Sequence, residues 1–301
     1  MARFRRSSIA RRCGIIWPAS AALWRLVSTP DQTLKRTELV TRTVAGLAMA
    51  GFTLTMLWLG GIAFWLTTVL LGLGVIVEWA NLAKADAATK RLMLFTLSVP
   101  LAIMCPLAAG PNFFALGLIF AAAIFTLATT RRPDLAAGML YTGLPVLALL
   151  LIRKQPDGLM MTIWAMALVW VCDVGAFFVG RAIGGVRLAP MISPNKTWAG
   201  FVGGMVAAAA FGAVMHIGWG LPWRLTLATP ALAIVAQAGD LYESWLKRRA
   251  GVKDSGTLLP GHGGLMDRVD GLIPVAPIAA FLVMLPEIEE LLMELLRGLW
   301  A

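Results

Sequence analysis

Charged side chains are scarce in this chain of 301 residues. They account for 14% of the sequence, while hydrophobic residues account for 59% and the mean hydropathy is +0.78. A soluble domain usually carries about 25% charged residues. The shortage therefore argues against a soluble domain, and the long apolar runs that accompany it indicate a polytopic membrane protein.

Cysteines and acidic residues are also few. The three cysteines, Cys13, Cys105 and Cys172, lie in or beside apolar sequence, and without any C-x-x-C pair no disulfide framework is visible. The 16 acidic residues are outnumbered by 26 basic ones, which gives a net charge of +10. In a membrane protein such an excess more often marks basic cytoplasmic loops than a nucleic-acid site. We therefore predict no nucleic-acid partner.

Nine apolar segments follow one another along the chain, separated by polar or Pro/Gly-containing breaks. Most approach the ~17–25 residues that a membrane-spanning helix needs, although the first and last are short. The sequence therefore predicts an all-α fold, a polytopic transmembrane helical bundle of about nine spans. The segments cover residues 44–59, 61–78, 92–109, 113–129, 135–152, 159–180, 199–218, 226–246 and 271–286.

Basic residues are distributed unevenly between the breaks. If the N-terminus is cytoplasmic, 22 of the 26 lysines and arginines fall in segments on the inner side. This partition follows the positive-inside rule. It places two loops, 181–198 and 247–270, on the cytoplasmic face of a multi-pass protein of the inner (cytoplasmic) membrane.

Residues 1–43 form a basic segment with no acid before Asp31. One interpretation is a cytoplasmic interfacial segment that fixes the orientation. Another is a transit peptide, which would place the protein in an organellar membrane; we favour the first. Two regions follow: N-terminal transmembrane helices over 44–158, and a C-terminal transmembrane catalytic region over 159–301 that contains both cytoplasmic loops.

Between Asp240 and Asp270 the chain concentrates five acids, five bases and one of its two histidines. Carboxylates near a bilayer are costly to keep ionised, so they tend to persist where they bind something. Carboxylates beside lysines and arginines suit a divalent metal together with a phosphate-bearing ligand. This composition indicates an active site; the alternative is an ion-pair network at the membrane boundary.

The spacing of these acids predicts that they meet. Asp240 and Glu243 are three residues apart and Lys247 follows four residues later, so all three share one face of a helix. Asp267 and Asp270 repeat the three-residue spacing before the last span. We expect the two pairs to form one pocket for hard cations, which requires Asp240 to lie within about 10 Å of Asp267 or Asp270.

Two stretches of the C-terminal region form recognisable patterns. The first contains Ser244-Trp-Leu-Lys-Arg, Lys253-Asp254 and Leu259-Pro-Gly-His-Gly-Gly-Leu-Met-Asp-Arg-Val-Asp270, preceded by Gln237-Ala-Gly-Asp240-Leu-Tyr-Glu243. The second runs from Asp173 through Gly180-Arg181 to Ser193-Pro-Asn-Lys196-Thr-Trp-Ala-Gly200. Together they resemble the motifs of phosphatidate cytidylyltransferases (CDP-diacylglycerol synthases). The second stretch departs from the family pattern at Phe177, Gly185 and Ala199.

The resemblance implies transfer of CMP from CTP to phosphatidic acid, giving CDP-diacylglycerol and pyrophosphate. The reaction would depend on Mg²⁺, with a second cation as an option, and would take place at the cytoplasmic membrane face. Four acids are expected to bind metal: Asp240, Glu243, Asp267 and Asp270. The expected catalytic residues are Asp240, Lys247, Lys253, His262, Asp267 and Asp270. Substrate binding is expected from Arg181, Ser193, Lys196, Arg248 and Arg268.

Three alternative functions remain open at this point. A CTP-dependent polyprenol or lipid kinase would use the same nucleotide but release CDP. A non-enzymatic transporter would use Asp173, an acid within an apolar segment, and the loop acids as an ion path. A catalytically inactive scaffold would tolerate the departures at Gly185 and Ala199. The expected partners are CTP, phosphatidic acid and membrane lipids, and we also consider a homo-oligomer.

Overall fold

The computed structural model of the protein describes residues 46, 48–256 and 263–300, without the side chains of 291, 292, 295 and 298–300. The predicted basic segment 1–43 and His262 lie outside the described residues. Over the described part of the chain there are nine α-helices. They are α1 (Ala48–Leu59), α2 (Gly61–Leu82), α3 (Ala87–Ile103), α4 (Phe113–Thr130), α5 (Pro133–Lys154), α6 (Gly158–Ile183), α7 (Trp198–Trp219), α8 (Trp223–Ala250) and α9 (Leu272–Trp300).

Each of the nine predicted apolar segments overlaps one of these helices, which confirms the helical class. Six helices are long and apolar enough to cross a membrane: α2, α4, α5, α6, α7 and the Leu272–Glu290 part of α9. The other three fall short for different reasons. As described, α1 covers only Ala48–Leu59, α3 has 17 residues, and α8 lacks a stretch that is apolar enough. The structure thus supports a membrane protein with six candidate spans, and the count of nine remains a prediction.

Local capping explains why two helices differ from their predicted bounds. α3 begins at Ala87 instead of residue 92, because Asp86 caps it: the Thr89 amide donates to Asp86 Oδ1 at 3.2 Å. α8 continues to Ala250, so that three basic residues occupy its last turn, where the helix dipole favours positive charge. Gly251, at a φ of 80°, then ends the helix. The loop after α8 is therefore shorter than predicted.

A β-hairpin interrupts the otherwise helical fold. β1 (Arg187–Ala189) and β2 (Ser193–Thr197) pair antiparallel within the predicted loop 181–198. The chain can turn after α6 because Gly184 and Gly185 adopt positive φ angles of 65° and 93°. At the other end, Thr197 Oγ1 caps α7 by accepting from the Gly200 amide at 3.1 Å. The hairpin is thus held between two helix ends, and its second strand carries Lys196.

Glycines allow α6 and α7 to pack with their backbones close together. A Cβ on Gly200 would lie 2.8 Å from Ala176 O, and one on Gly204 would lie 2.9 Å from Cys172 O. The small-residue pair Gly200 and Gly204 predicts such packing. α8 joins this pair of helices through Gln237, whose Nε2 donates to Phe201 O at 3.2 Å. The contacts bring α6, the hairpin and the charged half of α8 into one neighbourhood.

The N-terminal helices are organised around α5, the most enclosed of the candidate spans. α5 packs against α2, α4 and α9. The Trp79 indole of α2 donates to Asp134 O at the start of α5 at 2.9 Å. Residues 52–301 form one compact unit. Through α5, the helices before residue 158 contact the helix that follows the charged loop.

Candidate active site

The C-terminal turns of α8 present two acids and a lysine on one face, as their spacing predicts. Glu243 is buried, with 1% of its surface exposed. Lys247 Nζ lies 2.8 Å from Glu243 Oε2. Apart from this ion pair, neither oxygen of Glu243 accepts a hydrogen bond from the described residues. Because buried carboxylates are normally hydrogen-bonded, Glu243 retains the capacity to bind a ligand.

Asp270 completes a cluster with the two acids of α8. α8 and the start of α9 approach closely at Gly239, where a Cβ would lie 2.6 Å from Asp270 O. One carboxylate oxygen each from Asp240, Glu243 and Asp270 lies within 4.8 Å of the others. That spacing suits a single cation with ligands at ~2.0–2.6 Å. We call Asp240, Glu243 and Asp270 the acid cluster, and its geometry meets the predicted requirement that Asp240 approach Asp270.

Two lysines border the acid cluster. Lys196 Nζ, carried by β2, forms an ion pair with Asp240 Oδ2, and Lys247 pairs with Glu243. Asp173 of α6 is solvent-accessible, and its charge interacts with those of Asp240 and Lys196. The two predicted cytoplasmic loops therefore contribute to one charged site.

Asp267 lies beside the acid cluster and differs from it in its contacts. Lys247 Nζ donates to Asp267 Oδ1 at 2.6 Å. The Ser255 and Gly264 amides donate to Oδ2 at 3.1 and 2.9 Å, and the Ser255 hydroxyl lies 3.1 Å from the same oxygen. Both oxygens are thus occupied by protein donors. Asp267 is also predicted as a metal ligand; its carboxylate contacts that of Glu243, but it is not among the three acids whose oxygens lie within 4.8 Å of one another.

The pKa values of Asp267 and Asp270 shift in opposite directions. Burial acts to raise the pKa of Asp267, but its hydrogen bonds, first with Glu243 and then with Lys247 and the loop amides, outweigh burial and leave the pKa well below its ordinary value. Burial, and secondarily the charge of Asp240, raises the pKa of Asp270 to about 7. Asp267 is therefore stabilised as an anion, whereas Asp270 lacks sufficient positive charge nearby.

Sequence reasoning missed Glu78, a buried acid of α2 that also contacts the charged loop. Its Oε1 accepts from the Leu265 amide at 2.8 Å, and its Oε2 accepts from the Met266 amide at 2.9 Å and from the Ser255 hydroxyl at 2.7 Å. A signal was present, because an acid at the end of an apolar segment is costly unless it has partners. The identity of those partners, nearly two hundred residues away, could not be read from the sequence.

The remaining predicted residues are accessible around the site. The positively charged ones that are exposed are Arg181, Arg248, Lys253 and Arg268. Ser193 is half-buried at the start of β2. The structure brings Lys196, Lys247, Asp240, Glu243, Asp267 and Asp270 together by direct contacts or short distances, and it leaves the four exposed residues where a ligand can reach them.

Comparisons with known proteins identify the family of the chain. A model of the cytidylyltransferase family matches residues 40–285. A phosphatidate cytidylyltransferase of Brucella suis is 40% identical over 252 residues, which cover 80% of this chain and 92% of that protein. A phosphatidate cytidylyltransferase of Staphylococcus haemolyticus is 45% identical over 132 residues, covering 43% and 51%. The resemblance predicted from the two motifs is confirmed, and the chain belongs to the cytidylyltransferase family.

Proposed function

We propose that the protein transfers CMP from CTP to phosphatidic acid, producing CDP-diacylglycerol and pyrophosphate. A phosphate oxygen of the lipid attacks the α-phosphorus of CTP, a new P–O bond forms, and the bond to the β-phosphate breaks as pyrophosphate leaves with the electron pair. The observation that carries the proposal is the acid cluster bordered by Lys196 and Lys247. The curated relatives named for this activity support it.

The acid cluster has the composition of a Mg²⁺ site. It offers carboxylate oxygens, the ligands that Mg²⁺ prefers, and waters and substrate phosphates would complete the coordination of the ion. Glu243 fits this role because its carboxylate is buried beside those of Asp240 and Asp270, with Lys247 Nζ 2.8 Å from Oε2. Asp240, Glu243 and Asp270 would hold the ion, and exposed Asp173 is placed to contribute to a second one. Bound Mg²⁺ would neutralise phosphate charge and orient the nucleotide.

The basic residues supply the phosphate contacts. Lys196 and Lys247 already lie against the acids, so they can bind phosphate oxygens that approach the cluster. The exposed arginines and lysine, Arg181, Arg248, Lys253 and Arg268, can contact the triphosphate or the lipid phosphate, with arginine able to donate two parallel hydrogen bonds. Ser193 adds a hydroxyl. Because the attacking phosphate is already an anion, positioning and charge neutralisation dominate the chemistry.

Asp267 takes a supporting role in this mechanism instead of a direct place in the metal site. Its contacts hold Lys247 on one side and the loop amides on the other. Lys247 is thereby oriented between Asp267 and Glu243, beside the acid cluster. His262 remains the candidate for orienting a phosphate or transferring a proton.

The membrane arrangement follows from the same proposal. With the N-terminus cytoplasmic and nine spans, the hairpin and the loop after α8 lie on the cytoplasmic side, consistent with the positive-inside rule. Acyl chains of phosphatidic acid stay in the bilayer, while CTP arrives from the cytosol. We assign the protein to the inner (cytoplasmic) membrane of a bacterium, since the relatives are bacterial proteins.

A direct assay tests the reaction. Purified protein is given CTP labelled at the α-phosphate and phosphatidic acid in mixed micelles, with and without Mg²⁺. We expect the label in a lipid product and pyrophosphate in solution, only when Mg²⁺ is present. Release of CDP with transfer of the γ-phosphate would instead establish a lipid kinase. Ion flux in proteoliposomes without nucleotide turnover would establish a transporter.

A further inference from the structure

Glu78 joins two parts of the charged loop that are separated in sequence. Its carboxylate accepts three hydrogen bonds, one from Ser255 where the chain leaves α8 and two from Leu265 and Met266 where it returns toward α9. All three donors are neutral groups. Only 1% of Glu78 is exposed. These hydrogen bonds therefore hold both ends of the loop against α2, a helix of the N-terminal region.

The returning side of the loop is a short turn that lacks a cap of its own. The 3₁₀ helix Met266–Arg268 follows Leu265, which provides no side-chain cap. Glu78 accepts the amides of Leu265 and Met266, the free donors at the start of this turn. Glu78 of α2 thus caps the 3₁₀ helix, although a capping residue usually lies next to the helix in sequence. This turn contains Asp267 and leads directly to Asp270.

Two glycines of the loop lie close against the Glu78 carboxylate. A Cβ on Gly256 would lie 2.5 Å from Glu78 Oε1, and one on Gly264 would lie 2.6 Å from Glu78 Oε2 and 1.9 Å from Ser255 Oγ. Any side chain at these positions would displace the carboxylate. The loop therefore approaches Glu78 as closely as its backbone allows.

We propose that Glu78 is a positioning residue for catalysis, which sets the loop so that Asp267 orients Lys247 and Asp270 reaches the acid cluster. Glu78 itself touches neither substrate nor the acid cluster in this scheme. The N-terminal helices thereby contribute to the active site through one buried carboxylate. Only the expected effect on turnover rests on the proposed function, because the placement of the loop can be measured without an activity assay.

Glu78→Gln is the informative variant. It keeps the size of the side chain but replaces one acceptor oxygen by an NH₂ donor, which faces donors of the loop. Thr68→Val is its matched control. Thr68 lies in the same helix and is also buried, but among the described residues its hydroxyl bonds only to Phe64 O and Trp65 O of that helix. Both variants are made in the full-length protein.

Amide hydrogen exchange measures the placement of the loop. In peptides covering 263–271, we expect Glu78→Gln to accelerate exchange by at least about tenfold, the factor that corresponds to loss of 1.4 kcal/mol of local protection. Exchange in α4 and α7 should match the wild type, and Thr68→Val should change none of these peptides. Unchanged exchange over 263–271 in Glu78→Gln would overturn the proposal.

Ser255→Ala provides a second variant in case Glu78→Gln does not fold. It removes one of the three hydrogen bonds to Glu78, together with the contact of the same hydroxyl with Asp267 Oδ2, so we expect a smaller acceleration confined to the same peptides. Where both variants fold, the acceleration in the double variant should be smaller than the two single effects combined, because both changes act on the contact with Glu78. Fully additive effects, or acceleration spread equally over all helices, would show that Glu78 only supports the bundle.

Two functional readouts separate positioning from stability. We expect Glu78→Gln to lower kcat by about 10–100-fold, the usual effect of removing a partner that orients a ligand residue, and to raise the Mg²⁺ concentration that gives half-maximal thermal stabilisation. Wild-type turnover and Mg²⁺ response in a variant with a loosened loop would reject the positioning role. If the wild-type protein showed no turnover, the proposed function would fail, while exchange and Mg²⁺ stabilisation would still decide the role of Glu78.

Discussion

Asp267 and Asp270 are three residues apart, yet their surroundings are opposite. Every oxygen of Asp267 meets a protein donor, and a network of amides, a hydroxyl and Lys247 holds its carboxylate as an anion. Asp270 shares its site with Asp240 and Glu243, and its pKa is raised to about 7. A carboxylate that is fully hydrogen-bonded by the protein stabilises the fold. A carboxylate in a group with excess negative charge can instead bind a cation.

Replacing Asp270 should give the largest effect on activity. In Asp270→Asn the acid cluster loses one ligand, and because metal stabilisation is worth several kcal/mol, turnover should fall on the order of 10³-fold. The free protein should melt at the same or a higher temperature, since repulsion with Asp240 is relieved. Turnover with CTP and phosphatidic acid, together with thermal unfolding in detergent, measures both. Near-normal activity would remove Asp270 from the metal site.

Replacing Asp267 should have the largest effect on stability. In Asp267→Asn the amide nitrogen must face either Lys247 or the loop amides, so a donor meets a donor. An unsatisfied buried group costs about 1–3 kcal/mol, and the melting temperature should fall accordingly. Activity should also fall, because Lys247 and the loop lose their orientation. If Asp267→Asn were as stable as the wild type, the contrast with Asp270 would not hold.

The two carboxylates should also differ in their response to pH. The folded protein holds a proton on Asp270 up to about pH 7, while the unfolded chain releases it near its ordinary value of 3.8. Between these values the folded state binds more protons, so the contribution of Asp270 to stability decreases as pH rises. Mg²⁺ must displace that proton, and it should therefore raise the melting temperature more at pH 8 than at pH 6.

The control for this pH effect is Asp270→Asn, in which the difference between the two pH values should shrink. Equal stabilisation by Mg²⁺ at pH 6 and pH 8 in the wild type would show that Asp270 does not exchange a proton for the ion. Melting curves at a fixed ionic strength are needed, because salt also screens the surrounding charges.

An exposed ion pair should give the smallest effect. Arg132 Nη2 lies 2.6 Å from Asp134 Oδ2, and the two side chains are 39% and 45% exposed. Such surface pairs contribute about 0–1 kcal/mol. Asp134→Asn should therefore leave turnover unchanged and shift the melting temperature only slightly. A loss as large as that of Asp267→Asn would mean that distance alone, and not burial, determines the value of these pairs.

The sequence predicts the helical part of the fold well, because each helix has its own apolar run. It does not predict the hairpin, whose strands are short and carry no alternating pattern. The bounds of α3 and α8 shift where Asp86 and Gly251 act as caps, since hydrophobicity does not register capping. Helix class is thus a local property that can be read from composition, while the exact ends depend on single polar or glycine residues.

For the candidate site, spacing was sufficient for residues on one helix and insufficient across helices. Asp240, Glu243 and Lys247 share a face because helix geometry requires it. Nothing in the local sequence distinguishes Asp267 from Asp270. Their roles differ because Asp267 lies beside Lys247 and the loop amides, whereas Asp270 lies beside the acids of α8. Glu78 depends entirely on tertiary contact, as its partners lie 177 to 188 positions away.

That separation has a consequence for how the protein is made. The ribosome completes α2 long before it reaches Ser255, so Glu78 has already been synthesised when the charged loop emerges. A polypeptide that began after α2 would lack the carboxylate that accepts hydrogen bonds from its own loop. Expressing the first helices as a separate polypeptide in the same cell should supply that carboxylate again, because the two pieces can assemble in the membrane.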